Sequence, residues 1–242
     1  MITGASRGIG AAAAKLLYKN YEYLALVARN KDRALENLTL DWGQVPAGEA
    51  PCEIGIFSGD VSDHEFVRDT VKTVIERTGR IDLLVNNAGI SHVGLLTELS
   101  PEEWKRVIDV NLTSVYNTCH AVVPHMVHEK SGRIINVSSV WGITGASCEV
   151  AYSASKGGVN AFSRALAKEL APSNIAVNAI AFGAVDTEMN SHLSADEKNA
   201  LCEEIPAGRM ITPAEAAECI LKISQMPVGF TGDVVKTDGG WI

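Results

Sequence analysis

The sequence lacks the features that mark membrane proteins and nucleic-acid-binding proteins. No apolar run approaches the ~20 residues needed to span a bilayer, and no basic amphipathic stretch suits an anionic membrane surface. The formal net charge is −8 over 242 residues, and an acidic surface repels phosphate backbones. We therefore expect neither a membrane nor a nucleic acid as a partner.

Paired cysteines and a leader segment are missing as well. The five cysteines are scattered without a CxxC pair, which is typical of reduced thiols, and no signal peptide precedes the first motif at Thr3. His125 and His128 share a helical face, but no carboxylate or thiolate completes a clear ligand set. We expect a cytoplasmic protein with no structural metal.

Internal repeats are also absent, and short apolar runs alternate with longer helical patterns. Strands are predicted over 23–28, 53–57, 81–85, 133–137 and 175–180. Helical spacing joins the groups Val67, Val71 and Val74; Trp104, Ile108 and Val115; and Val159, Phe162, Leu166 and Leu170. This alternation predicts one α/β domain over 1–242, with a doubly wound parallel sheet of the Rossmann type, about seven strands and helices on both faces.

Two stretches fit this pattern less well. The Gly- and Pro-containing run from Trp42 to Pro51 is predicted to be a loop between a helix and a strand. Only Met1 to Thr3 precede Gly4, so the first strand is either unusually short or incomplete in this sequence.

A glycine-rich turn opens the first predicted helix, which runs to about Tyr18. Gly4, Gly8 and Gly10 lack a Cβ, so backbone N–H groups at the helix start can approach a pyrophosphate closely. Such a turn is weak evidence alone, because ordinary turns match it too. It becomes informative only together with the residues that follow.

The next predicted strand ends without the acid that holds a ribose 2′-hydroxyl in NAD-binding proteins. Ala28 ends it and Arg29 follows, so Arg7 and Arg29 are both available for a 2′-phosphate. The alternative is two solvated surface arginines. We predict NADP(H) in preference to NAD(H).

Polar residues gather where the later strands end. Asn86 and Asn87 begin a small-residue turn able to fix loop backbone, and Ser138 and Ser139 follow the strand that starts at Arg133. Tyr152 and Lys156 lie one helical turn apart, so the ammonium should favour the phenolate and lower the tyrosine pKa. A hydroxyl that holds a carbonyl oxygen and a phenol that exchanges its proton suit carbonyl–alcohol chemistry.

Taken together, these motifs resemble the short-chain dehydrogenase/reductase family over the whole chain. The matching residues are Thr3-Gly4-x-x-x-Gly8-x-Gly10, Asp60, Asn86-Asn87-Ala88-Gly89, Asn111, Ser139, Tyr152-x-x-x-Lys156, Thr231-Gly232 and Asp238-Gly239-Gly240. The resemblance implies a catalytic tetrad in which Ser139 positions the carbonyl and Tyr152 is the acid or base. It further implies that Lys156 binds the nicotinamide ribose and that Asn111 holds a proton-relaying water.

The resemblance also implies a cofactor site, a substrate pocket and an assembly. The implied cofactor-binding residues are Gly4, Ser6, Arg7, Gly8, Ile9, Gly10, Arg29, Asp60, Val61, Asn87, Ala88, Gly89, Tyr152, Lys156, Gly183, Val185 and Thr187. The expected substrate-lining residues are His92, Trp141, Glu149, Phe182 and Met189, under a covering segment at about 187–212. The helices at 101–130 and 150–172 resemble the paired interface helices of a homotetramer. Phe182 departs from the family's usual Pro, so the turn beside the nicotinamide is expected to differ.

The substrate stays open at this point. The chain resembles 3-oxoacyl-acyl-carrier-protein reductases, but of their two basic anchor positions Lys130 is basic and Ser173 is not. The stretch from Ser139 to Tyr152 is similar to reductases of a 5-aminopentanone adduct on elongation factor P. In that case Glu149 would face a cationic substrate, whereas otherwise it caps its helix. A catalytically silent cofactor-binding scaffold is the alternative of another class.

Overall fold

Seven parallel strands form a single sheet at the centre of the protein. The structure is a computed structural model that describes residues 1–32, 34, 36, 52–191 and 193–242. The strands are β1 (Ile2–Thr3), β2 (Tyr23–Ala28), β3 (Glu53–Ser58), β4 (Leu83–Asn86), β5 (Gly132–Ser139), β6 (Ile175–Phe182) and β7 (Val234–Thr237), in the order β3-β2-β1-β4-β5-β6-β7. The doubly wound Rossmann-type fold is therefore confirmed. The loop predicted from Trp42 to Pro51 lies outside the described residues.

Helices cover both faces of the sheet. They are α1 (Gly8–Leu17), α2 (His64–Thr78), α3 (Pro101–Ile108), α4 (Ser114–Glu129), α5 (Trp141–Thr144), α6 (Val150–Leu170), α7 (Ala195–Glu204) and α8 (Pro213–Ser224). A π-helical turn, Asp109–Thr113, joins α3 to α4, and short 3₁₀ turns lie at Ala171–Ser173 and Glu188–Asn190. Within the described ranges no helix is long and apolar enough to cross a membrane.

Local sequence signals explain where α2, α3, α7 and α8 begin. Ser100, Ser194 and Thr212 each form a capping box with a glutamate three residues later, at the starts of α3, α7 and α8. Asp63 caps α2 by accepting hydrogen bonds from two backbone N–H groups. The first turn of α1 has neither a side-chain cap nor an acidic residue.

Two hydrophobic layers hold the helices on the sheet. On one face, sheet residues such as Leu26, Val85 and Ile180 pack with α1 and α8. On the other face, the predicted stripe Val67, Val71 and Val74 of α2 is buried, together with residues of α4 and α6. Because β1 and β4 are neighbours, the chain direction across the sheet reverses there, and ligand clefts of this fold form at that point beyond the carboxyl ends of the strands.

One predicted helical face is wrong. Trp104 is 38% exposed and Ile108 only partly buried, whereas Val107 and Val110 are buried together with Val115. The π-helical turn inserts an extra residue into the helix, which shifts the residues before it around the helix axis.

Candidate active site

A cleft of about 560 Å³ opens at the carboxyl edge of the sheet, across the β1–β4 boundary. It is lined by the turns that follow β1, β2, β3, β4, β5 and β6, and by the amino-terminal half of α6. Most residues predicted from the sequence line it: Gly4, Ser6, Arg7, Gly8, Ile9, Arg29, Asp60, Val61, Asn87, Ala88, Gly89, Ser139, Trp141, Glu149, Tyr152, Lys156, Phe182, Gly183, Val185, Thr187 and Met189. Gly10, Asn111 and His92 are not part of its lining.

The glycine turn has the backbone that a phosphate site needs. Gly4 has φ +65°, and a Cβ there would lie 2.8 Å from the Ala88 Cα. Gly10 serves packing, since a Cβ on it would lie 2.3 Å from the Gly4 carbonyl oxygen. Because α1 starts without a side-chain cap, its first N–H groups and positive dipole end are available to an anion in the cleft.

Asn87 ties the glycine turn to the turn after β4. Its Nδ2 donates to the carbonyl oxygens of Thr3 and Gly4, both at 3.1 Å. In return, Thr3 Oγ1 accepts from the backbone N–H groups of Asn87 at 3.0 Å and Ala88 at 3.1 Å. The predicted fixing of loop backbone by an asparagine is confirmed, and two walls of the cleft are held as one unit.

Asn86, the neighbouring asparagine, supports the sheet instead. Its Nδ2 donates to Asn136 Oδ1 at 2.9 Å, and its Oδ1 accepts from Thr118 Oγ1 at 2.7 Å. Asn136 Nδ2 in turn donates to Ser163 Oγ at 2.8 Å. This buried network links α4, β4, β5 and α6 behind the cleft, and buried polar groups satisfied in this way fix one arrangement of the elements.

Charged side chains gather at the end of the cleft nearest β2 and β3. Burial acts to raise the pKa of Asp60, but hydrogen bonds from Ser62 and Arg106 hold it below its usual range. Arg106 Nη2 lies 2.8 Å from Asp60 Oδ2. Arg7 forms an ion pair with Glu188 of the covering segment. Neither Arg106 nor Glu188 could be predicted from local sequence, because both contacts join distant parts of the chain.

Tyr152, Ser139 and Lys156 meet where β5 ends and α6 begins. Ser139 and Tyr152 line the same cleft, the Ser139 hydroxyl acts to lower the pKa of Tyr152, and Ser139 Oγ accepts from the backbone N–H of Trp141 at 3.2 Å. Lys156 is buried, and its Nζ donates to the Val137 carbonyl oxygen at 2.8 Å. The same Nζ is 5.7 Å from the centroid of the Tyr152 ring.

The pKa values of this group differ from the prediction. The pKa of Tyr152 is raised to about 12, chiefly by burial and also by the Glu149 charge, while the Ser139 hydroxyl acts in the lowering direction. Burial lowers the pKa of Lys156 to about 8. The ammonium is directed at a backbone carbonyl, so desolvation outweighs its effect on the phenol.

Asn111 lies in the π-helical turn, beneath the cleft surface. Its Oδ1 accepts from the Ile90 N–H at 2.8 Å, while its Nδ2 donates to the Ile90 carbonyl at 2.9 Å and to Ser155 Oγ at 3.0 Å. A Cβ built on Gly89 would lie 3.5 Å from both Asn111 Oδ1 and Lys156 Nζ. Asn111 therefore flanks the lysine and connects the loop after β4 to α6.

The substrate end of the cleft contains four of the five predicted residues. Glu149 occupies the N-cap position of α6 but makes no side-chain cap, and its Oε1 accepts from Ser91 Oγ instead. Phe182 ends β6 as a buried residue opposite Ser139. His92 lies outside the lining, with Nδ1 3.7 Å from Glu103 Oε1. Trp241 lines the cleft and was missed, because nothing in the local sequence relates it to this site.

Comparison with known proteins decides the family. The family model described as short chain dehydrogenase matches residues 1–198. The chain belongs to the short-chain dehydrogenase family. The family makes it an oxidoreductase that acts on a CH–OH group or a carbonyl with a nicotinamide cofactor.

Three similar proteins show how far the likeness extends. The chain is 38% identical over 244 residues to the 3-oxoacyl-[acyl-carrier-protein] reductase FabG of Chlamydia muridarum, covering 99% of this chain and 95% of that protein. It is 37% identical to the 3-oxoacyl-[acyl-carrier-protein] reductase FabG of Thermotoga maritima, covering 100% of this chain and 96% of that protein. It is 36% identical to the uncharacterized oxidoreductase YmfI of Bacillus subtilis, covering 100% and 97%.

The cleft of this short-chain dehydrogenase fits a nicotinamide dinucleotide. The uncapped start of α1 provides N–H donors for a pyrophosphate, and Gly4, which has no Cβ, lets the glycine turn pack closely against the turn after β4. The cleft then continues from Asp60, at the end nearest β3, to Lys156 and Tyr152. A cofactor extended along it would place its nicotinamide end beside the tyrosine.

Proposed function

We propose that this short-chain dehydrogenase reduces a ketone of the 3-oxoacyl type to a secondary alcohol with NADPH. The proposal is carried by the meeting of Ser139, Tyr152 and buried Lys156 in the cleft that also contains the glycine turn. The relatives from Chlamydia muridarum and Thermotoga maritima are 3-oxoacyl-[acyl-carrier-protein] reductases, which supports this substrate class.

In this proposal the chain's own residues manage the oxygen of the carbonyl. Ser139 donates a hydrogen bond that holds the oxygen, and Tyr152 gives its proton to that oxygen as negative charge develops. When bound, the reduced nicotinamide supplies the hydride to the carbonyl carbon, so hydride and proton together give the alcohol. A pKa of about 12 keeps the phenol protonated at neutral pH. After the transfer, the Lys156 ammonium returns a proton to the phenolate and regains one from solvent through a water that Asn111 would hold.

The decisive experiment is NADPH oxidation by purified protein against a panel of 3-oxoacyl thioesters, small keto esters and amino ketones. We expect turnover of at least one ketone, with disappearance of the 340 nm absorbance matched by formation of the alcohol. Binding of NADPH without its consumption across the panel would instead favour a catalytically silent scaffold.

NADP(H) is proposed over NAD(H) because β2 ends at Ala28 and the next residue, Arg29, lines the cleft. A charge-assisted hydrogen bond from a guanidinium to a 2′-phosphate should raise kcat/KM for NADPH about 10-fold over that for NADH, which corresponds to about 1.4 kcal/mol. Arg29→Ala should lower kcat/KM for NADPH and leave that for NADH unchanged. Lys72→Ala, an exposed residue of α2 outside the cleft, is the matched control. Equal efficiency of the parent with both cofactors would contradict the proposal.

A second substrate class, an amino ketone like the 5-aminopentanone adduct, is favoured by Glu149. Its carboxylate lines the cleft, is partly buried and makes no helix cap. A partly desolvated pair with a substrate ammonium is worth about 1–3 kcal/mol, or roughly 5- to 150-fold in affinity, whereas a solvated pair contributes ~0–1 kcal/mol.

Glu149→Gln tests this class with two ketones of matched length, one carrying an amine and one neutral. Selective loss of kcat/KM on the amine would support the pairing. An equal change on both ketones would return the assignment to a 3-oxoacyl substrate and leave Glu149 as the acceptor of the Ser91 hydroxyl.

Assembly and location are proposed on the family resemblance. We propose a cytoplasmic homotetramer with 222 symmetry that pairs α4 and α6 between subunits, where Tyr116, Val127 and Val150 are exposed apolar residues. Light scattering at micromolar concentration should give four times the mass of the 25.8 kDa chain. A monomer would contradict it.

A further inference from the structure

Two tryptophans from opposite ends of the chain meet in the cleft. The ring centroids of Trp141 and Trp241 are 4.8 Å apart, with their planes at 60°. This is a tilted arrangement within the distance range preferred by aromatic pairs. Both residues line the cleft that contains Tyr152 and Glu149. Trp141 also donates its backbone N–H to Ser139 Oγ at 3.2 Å, which places this pair next to the carbonyl-binding hydroxyl.

A fixed turn presents Trp241 to the cleft. Buried Asp238 accepts hydrogen bonds from the N–H groups of Gly240 and Ile242, each at 3.0 Å. Gly239 and Gly240 have φ of +70° and +85°, a conformation that favours glycine. The residues on both sides of Trp241 are therefore held by one carboxylate, and the indole is positioned in advance.

The same turn is connected to the segment that covers the cleft. The Gly239 carbonyl oxygen accepts from the Ala207 N–H at 3.1 Å. Burial acts to raise the pKa of Asp238, but the hydrogen bonds from Ile242 and Gly240 and the nearby Lys236 hold it below its usual range. The carboxylate that sets the turn thus stays ionised at neutral pH.

We propose that Trp241 is a specificity-determining residue of the reductase and that, with Trp141, it forms an aromatic wall against the apolar alkyl substituent of the ketone. This inference rests on the proposed function. Indole surfaces offer large apolar contact with little loss of conformational freedom. An alkyl chain beside the carbonyl gains that contact, whereas a hydroxyl or carboxylate placed there loses its hydration without a partner.

Kinetics with methyl ketones of increasing alkyl length test the wall. Trp241→Ala should lower kcat/KM roughly 10-fold or more for the longer alkyl ketones, mainly through KM. The KM for NADPH should stay unchanged, and Trp241→Phe should recover most of the loss. Trp104→Phe, a partly exposed tryptophan of α3 outside the cleft, is the control. Unchanged selectivity across the alkyl series in Trp241→Ala would overturn the proposal.

Two readouts without turnover separate this inference from the proposed function. Closely spaced indoles give an exciton couplet in circular dichroism, which Trp141→Phe and Trp241→Phe should both abolish and Trp104→Phe should keep.

Quenching of tryptophan fluorescence measures binding of the same ketones. Trp241→Ala should weaken that binding by a factor similar to the loss in kcat/KM. If the parent binds alkyl ketones tightly but reduces none, the proposed function fails and the wall stands. If ketone affinity is the same with and without the indole, the wall fails.

Discussion

Replacing Lys156 by methionine should abolish activity and yet stabilise the protein. The lysine is 4% exposed, and burial lowers its pKa from 10.5 to about 8. That difference corresponds to about 3 kcal/mol of destabilisation of the folded protein at neutral pH. Methionine removes this cost but leaves the Val137 carbonyl without its 2.8 Å donor, which costs about 1–2 kcal/mol. We therefore expect a net stabilisation of about 1–2 kcal/mol and a Tm several degrees higher.

The pH dependence separates this explanation from generic packing effects. Because the folded pKa of Lys156 lies below the unfolded value, the destabilisation is complete below pH 8. It shrinks as the pH rises from about 8 and is gone above 10.5, the ordinary pKa of a lysine. The advantage of Lys156→Met should therefore be constant up to about pH 8 and then decline through alkaline pH.

Urea unfolding of parent and variant without cofactor at pH 7, 9 and 10.5 measures this advantage. Lys168→Met, on the exposed side of the same helix α6, is the matched control and should show no advantage that depends on pH. A Lys156→Met protein that is less stable than the parent at pH 7, or whose advantage does not change with pH, would refute the reasoning. The result bears on function, because a buried ammonium that destabilises the fold is kept for its chemistry.

Three further predictions concern turnover. Tyr152→Phe should lower kcat by ~10²-fold or more without changing cofactor affinity, since only the proton donor is lost; turnover within a few-fold of the parent would exclude that role. Glu188→Gln should lower the KM for NADPH by up to about 5-fold, because Glu188 competes with a cofactor phosphate for Arg7 and an exposed pair is worth ~0–1 kcal/mol. A higher KM in the variant would contradict this competition. For ketone reduction, kcat/KM should fall with an apparent pKa near 8, where Lys156 loses its proton, and not near 10; a flat profile to about pH 10 would contradict this.

The sequence was informative wherever local pattern and tertiary packing agree. The strand 23–28 has the predicted bounds, and Val67, Val71 and Val74 form the buried stripe of α2. β5 extends to Ser139 and β6 to Phe182, a little beyond their predicted apolar runs. These two strands pair in register along their length, so the polar end of β5, Ser138 and Ser139, is buried in the sheet opposite Ala181 and Phe182.

The errors arise where one part of the chain changes the geometry of another. The π-helical turn at Asp109–Thr113 rotates Trp104 and Ile108 away from the core. The residue types in that segment do not predict a π-helical turn. Glu149 was expected either to cap α6 or to face the substrate; it makes no cap and lines the cleft, and the bond from Ser91, in a loop distant in sequence, was not foreseen. The Trp141–Trp241 pair depends on β5 and β7 flanking β6. Such contacts follow from topology, which periodicity does not encode.

Arg7 shows how the structure alters a functional argument as well as a position. The sequence suggested a guanidinium available to a phosphate, yet the structure pairs it with Glu188 of the covering segment. A cofactor phosphate and Glu188 then compete for one cation, so the net contribution of Arg7 to affinity is the difference between two charge-assisted interactions. Arg7→Ala would also release the covering segment from the glycine turn, which changes the cleft for either cofactor. Arg29 follows β2 directly and does not hold the covering segment in this pair. Its substitution is therefore the one that isolates the preference between NADP(H) and NAD(H).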